Sequence, residues 1–129
     1  MKKKYAKVEG HSELIRDEMS HAIINTNEEQ WHRSPSSGVE RLYLERDNMG
    51  EFARASSIVT FESGSKFDNH IHDNGEEIFV LEGIFSDQYG DYPEGTYIRN
   101  PHNTDHTPFS NDGCKILVTV SYTHLTLPT

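Results

Sequence analysis

The chain has 129 residues, a formal net charge of −9 and a hydrophobic content of 33%, which fits one small core and leaves no room for a second domain of ordinary size. That acidity argues against binding nucleic acid or an anionic membrane, because phosphate neutralisation needs a concentrated basic surface. Lys2, Lys3, Lys4 and Lys7 are not followed by the apolar run of a signal peptide, no stretch approaches membrane-spanning length, and a single cysteine, Cys114, excludes an internal disulfide, so a cytoplasmic protein is expected.

Residues 1–20 are charged, with Leu14, Ile15 and Met19 at helix-compatible spacing, and are expected to form a frayed lead or a short helix. Ala22-Ile23-Ile24 reads as a short strand, and Thr26-Asn27-Glu28-Glu29-Gln30 offers a capping-box start for a single turn ending near Trp31. Ser34-Pro35-Ser36-Ser37-Gly38 is a loop. Short strands separated by turns then recur at 39–45, 52–61, 76–82, 85–89, 96–99 and 114–119, the rhythm of an all-β double-sheet jelly-roll barrel. The chain thus divides into a lead (1–20), one domain (21–119) and a tail (120–129). Residues 120–129 can be back-translated into a transposase adapter used in sequencing libraries. They are expected to be non-native, with the natural chain cut within or just after the final strand; a genuine terminal strand is the competing reading. His124 is set aside with the tail.

The chemistry concentrates between Gly64 and Ser110. In Asn69-His70-Ile71-His72-Asp73-Asn74-Gly75-Glu76, side chains two apart on a strand share a face, so His70 and His72 are expected to project together into a barrel interior. Glu76 follows an Asp73-Asn74-Gly75 turn at which a new strand can begin, and His106 would arrive from a neighbouring strand. Glu77 sits beside Glu76, but alternation sends the two to opposite faces. Three imidazoles with one carboxylate suit zinc, iron, manganese, nickel or copper and are too nitrogen-rich for calcium or magnesium. The competing reading is a vestigial site whose histidines only hydrogen-bond inside the barrel. His102 is expected in a solvent-facing loop, or at the barrel mouth. His11, His21 and His32 have no spacing that recruits them, and Cys114 reads as a buried small hydrophobe. Arg54, Arg99 and Tyr43, with Arg41 and Trp31, are candidates to contact an acidic or aromatic ligand, against ordinary surface or packing roles for each one singly.

These residues fill a known pattern. Gly64, His70, His72, Glu76 and Gly83 match the first cupin motif; Gly95, Pro101, Asn103, His106 and Ser110 match the second, with Asn103 standing for a glycine and Ser110 for an asparagine. Asparagine visits the left-handed region more readily than other non-glycine residues, so the first departure is tolerable. The stretches 75–87 and 90–101 are similar to the cupin domain that closes the ChrR-type zinc anti-sigma factors, and the similarity extends over about 27–119. The resemblance implies zinc at His70, His72, Glu76 and His106. It is to the sensory or ligand domain alone, since no counterpart of that family's sigma-gripping, zinc-binding helical domain is seen.

Two functions follow as expectations. The first is a ligand-binding or regulatory module holding one divalent metal, zinc first, with iron(II), manganese or nickel as alternatives. The second is a small non-haem iron(II) dioxygenase cleaving a diketone or aromatic ketone, with Arg54 or Arg99 holding a substrate oxygen; zinc would rule out that redox chemistry. Expected partners are a small-molecule ligand or substrate and a second copy of the chain, because edge strands of such barrels commonly pair between subunits, with no nucleic acid and no membrane.

Overall fold

The computed structural model describes residues 5–8, 11–19, 23–25, 31–34, 36–47, 53–68, 70–71 and 75–122. Among them every regular element is a β-strand, as the turn-separated apolar runs require. Strands β1 (Tyr5–Val8), β2 (His11–Asp17) and β3 (Ile23–Asn25) make a three-stranded antiparallel sheet beside the main body. This corrects the helical option for the lead. An apolar pair as short as Leu14-Ile15 satisfies either period, and pairing decides: Ile15 stands opposite Lys7 on one side and Ile24 on the other. The capping-box segment 26–30 lies outside the described residues.

The main sheet runs in the order β4 (His32–Arg33), β5 (Val39–Asp47), β6 (Ala53–Phe61), β14 (Cys114–Tyr122), β9 (Glu76–Asp87), β13 (Phe109–Ser110), β7 (Ser65–Lys66), with β10 (Gly90–Pro93) and β11 (Tyr97–Asn100) also pairing with β9. β8 (His70–Ile71) and β12 (Asp105–His106) form a separate two-stranded ladder. Strand β14 continues through Tyr122, with Val120 opposite Ala55 and Glu76.

The two strands expected at 76–82 and 85–89 are one strand with a bend. Its first half pairs with β14 and β11, and its second half with β10 and β13, so β9 passes from one side of the jelly roll to the other. The bend has a local cause. Lys115 faces Glu82 and Ile116 faces Val80, which leaves Leu81 as a bulge. Beyond it Gly83 adopts φ 75°, where a Cβ would stand 2.3 Å from the Gly113 carbonyl oxygen; only glycine permits that approach. The inward set accordingly switches from Ile78 and Val80 to Phe85, all buried.

Period-two alternation on each strand sends Val39, Val59, Phe61, Ile78, Val80, Phe85, Cys114 and Ile116 into one core. The Phe61 ring meets Phe67 and Phe85 edge-on, at centroid distances of 5.6 and 5.8 Å, an arrangement that adds to simple area burial. Each fully buried side chain of this size contributes roughly 1.5–3 kcal/mol.

Candidate metal centre

Glu76 is placed by the glycine before it. Gly75 has φ +87°, and a Cβ there would lie 2.7 Å from the Asn100 carbonyl oxygen, so β9 starts in close contact with the end of β11. From that start Glu76 turns inward, 6% exposed, while Glu77 faces solvent, as alternation demands. Asn100 is its cross-strand partner, and the Asn100 amide donates to Glu76 Oε1 at 2.9 Å.

His106 reaches the same point from the second motif. A turn closed by Thr104 N–H donating to the Pro101 carbonyl, 3.2 Å, precedes it, and Asn103 in that turn has φ 60°, the left-handed conformation expected where the motif has glycine. His106, 3% exposed, then sets Nε2 at 3.0 Å from Glu76 Oε1. Asn100 Nδ2 stands 3.5 Å from His106 Nδ1. One amide therefore lies against both Glu76 and His106. The β8–β12 ladder places the backbone of His70 directly opposite His106. The side chain of His70 and the whole of His72 lie outside what is described, and among the described residues no group of three or more candidate ligands is gathered.

The donor chemistry fits a borderline divalent ion. Donors that share one ion at about 2.0–2.1 Å lie roughly 2.9–3.4 Å apart, close to the Glu76–His106 separation. Both side chains are buried, so the carboxylate needs compensating charge or hydrogen bonds.

Glu76 and His106 open onto a cavity of about 50 Å³ inside the sheet, walled by Val59, Phe61, Phe67, Phe85 and Ile116 among others and also lined by Arg41 and Ser57. Arg41 reaches it because it shares the inward face of β5 with Val39 and stands opposite Val59. Arg54 and Arg99 are both exposed and line a second, polar cleft of about 450 Å³ with Glu45, Ser56, Glu77 and Thr119, which reaches Gly75 and Glu76 at the start of β9. Tyr43 is partly buried with its ring centroid 4.8 Å from that of His32, and Trp31 is 37% exposed.

His102 is exposed, beside the Asn103 amide at 3.1 Å. Ser110, in the asparagine position of the motif, is fully buried and donates Oγ–H to the Ile84 carbonyl at 2.6 Å, while its own carbonyl accepts from Gly64 N–H; the substitution therefore leaves no unmet polar group there. Burial pushes the Cys114 thiol pKa up, partly opposed by a hydrogen bond with Ser110, consistent with a packing role. Asn100 escaped sequence reading. Its signal was available, since it shares the alternation of Ile98 and immediately precedes Pro101 of the second motif.

Several solved structures share this fold. Rhodobacter sphaeroides SigE in complex with the anti-sigma ChrR aligns with TM-score 0.60 and 24% identity over 70% of this chain and 48% of that one, so the chain spans about half the length of that relative. An RmlC-like cupin from Ralstonia eutropha JMP134 aligns with TM-score 0.66 and 16% identity, covering 77% of this chain and 67% of the other. A Methylibium petroleiphilum PM1 protein proposed to be an acetylacetone dioxygenase aligns with TM-score 0.65 and 18% identity over 93% and 81% of the two chains. No curated protein matches the chain. The profile of the ChrR cupin-like domain matches residues 19–124, most of the sequence, and the chain belongs to the ChrR cupin-like domain family.

Proposed function

We propose that the chain is a mononuclear metal-binding cupin module, with His70, His72, Glu76 and His106 as ligands, zinc as the first metal, and a ligand-binding or regulatory role. The observation that carries it is the buried Glu76–His106 contact, 3.0 Å, at the wall of an apolar cavity. The register of His70 against His106 supports a third donor, and strand alternation supports the fourth, His72. A bound divalent ion would supply Lewis acidity and a positive charge at the cavity wall. The protein's part is then to hold the Glu76 carboxylate with the Asn100 amide, to fix the His106 ring, and to keep water out with the phenylalanine walls.

A second reading, iron(II) dioxygenase, is favoured by one observation: the fold likeness to the Methylibium protein runs over 93% of this chain. The cavity bears on its substrate. Room for a water takes about 10–15 Å³, so about 50 Å³ holds roughly three to five non-hydrogen atoms, which counts against both a diketone and an aromatic ketone. Arg54 and Arg99 line the polar cleft that also reaches Glu76, which leaves them the candidates to hold a substrate oxygen from that side.

Elemental analysis of protein made anaerobically without added metal tests the proposal. Stoichiometric zinc is the expected result; stoichiometric iron would move the function to the oxygenase, to be followed by oxygen-uptake assays with diketones. A metal-free protein that also takes up neither ion on titration would overturn both readings.

A further inference from the structure

We infer that Gln88 is a positioning residue for His106: its side-chain amide holds the main chain on both sides of the histidine and so sets where the ring meets Glu76. The inference rests on the proposed metal centre only where zinc affinity is concerned, because the contacts themselves need no ion. Gln88 Oε1 accepts the Thr107 N–H at 2.8 Å, and Gln88 Nε2 stands 3.5 Å from the Asp105 carbonyl oxygen, a longer contact. In an extended strand the carbonyl of one residue and the N–H two residues on project from the same edge, while the residue between them projects its own groups from the other. A side-chain amide carries both an acceptor and a donor. One glutamine can therefore serve that edge as a neighbouring strand would, bracketing His106.

Strand β12 is short of other support. It has two residues, and among the described residues it pairs with β8, which also has two. Main-chain pairing of β9 with β13 is recorded at Ser86 opposite Phe109. Carried two residues further, that antiparallel register sets Gln88 opposite Thr107, at the point where β9 turns into its hairpin with β10. The Gln88 side chain spans the gap that the turning backbone leaves. It is presented from a fixed base: Gln88 and Tyr89 form the two-residue loop between the cross-strand partners Asp87 and Gly90. Asp87, 5% exposed, accepts the Tyr89 N–H at 2.9 Å and the Tyr92 hydroxyl at 3.1 Å, both through Oδ1. With His106 Nε2 at 3.0 Å from Glu76 Oε1, a small displacement of the His106 backbone changes that contact directly. Asn100 touches the two side chains, whereas Gln88 acts through the main chain.

The test compares wild type with Q88M, which keeps the length of the side chain and removes both polar groups, and with Q88E, whose carboxylate still accepts from Thr107. In metal-free protein, Q88M should speed solvent exchange of the Thr107 amide about three- to tenfold, the scale of one lost hydrogen bond. The Ile116 amide, in the interior strand β14, should change less. The ring resonances of His106 should shift in Q88M while those of His102 stay in place, and Q88E should keep the Thr107 amide protected. Chelator competition should then find zinc bound at least about tenfold more weakly by Q88M at unchanged stoichiometry. Unchanged Thr107 exchange, an equal change at Ile116, unmoved His106 resonances, or unchanged affinity in a wild type that binds zinc would each overturn the inference. A wild type that takes up no zinc would sink the metal proposal alone, and the exchange and ring-resonance comparison would still decide the part played by Gln88. Q88A gives the same readouts should Q88M fold poorly.

Discussion

Glu76 and His106 meet through Oε1 and Nε2 at 3.0 Å although, among the described residues, the β12 strand of His106 pairs with β8 and not with the β9 strand of Glu76. Their contact is therefore made across the barrel, by side chains, and depends on what orients each. Asn100 does part of this for both, with its amide 2.9 Å from the carboxylate and 3.5 Å from the imidazole Nδ1.

Removing that orientation should weaken the site without emptying it. Asn100→Ala is expected to reduce metal affinity by about 10–100-fold, the usual scale for loss of a group that positions ligands, while stoichiometry at saturating metal is kept. Competition with a chelating dye measures both quantities, and an unchanged affinity would show that Asn100 has no such part.

Gly75 and Gly95 provide a matched pair. Both have φ +87°, but a Cβ on Gly75 meets the Asn100 carbonyl at 2.7 Å whereas nothing lies within 4 Å at Gly95. Gly95→Ala should lose about 1 kcal/mol from backbone strain alone. Gly75→Ala should lose at least about 2–3 kcal/mol, because β9 and β11 must also part, and it should weaken metal binding as Glu76 shifts. Denaturant unfolding of the two variants, read with and without metal, checks the ordering.

Phe85 anchors the bent strand. It is 1% exposed and touches the Phe61 ring edge-on, so Phe85→Ala should destabilise by about 3–5 kcal/mol. A chemical-denaturation loss below about 1 kcal/mol would mean that the core closes over the gap.

Alkaline pH should destabilise the fold through Cys114. Burial raises its thiol above the ordinary value of 9.0, so between that value and the higher folded one the native state holds a proton that the unfolded chain has released. The contribution is intact below about pH 9 and is lost as pH rises towards the folded pKa. Tyr92 acts in the same sense above 10.0, raised by burial first, then by the hydrogen bond it donates to Asp87 and by the charges of Asp87 and Asp91. Midpoints between about pH 8 and about pH 10 should fall less steeply for Cys114→Ala than for wild type, and a native thiol reagent should react with Cys114 only as the protein unfolds; parallel slopes would contradict this.

Much of the site was legible because strand geometry is a strong constraint. Alternation put Glu76 and Glu77 on opposite faces, and motif spacing chose Glu76 as the inward one and put Asn103 in its left-handed turn. What stayed hidden depended on contacts between distant segments. Leu14 and Ile15 fit either period until β1 and β3 paired with their strand, and Gly83 read as a break between strands because a bulge and a turn residue look alike before the partner strand is known. Sequence put Arg54 and Arg99 ahead of Arg41 as ligand contacts; register sends Arg41 to the apolar cavity and the other two to the polar cleft, and Glu76 lines both.

The central proposal is most directly tested by metal stoichiometry of the His70→Ala/His72→Ala double variant beside wild type and His102→Ala, each refolded with zinc and dialysed. One ion per chain in wild type and His102→Ala, with none retained by a folded double variant, is the expected result. Full zinc occupancy in the double variant would contradict the assignment of the site.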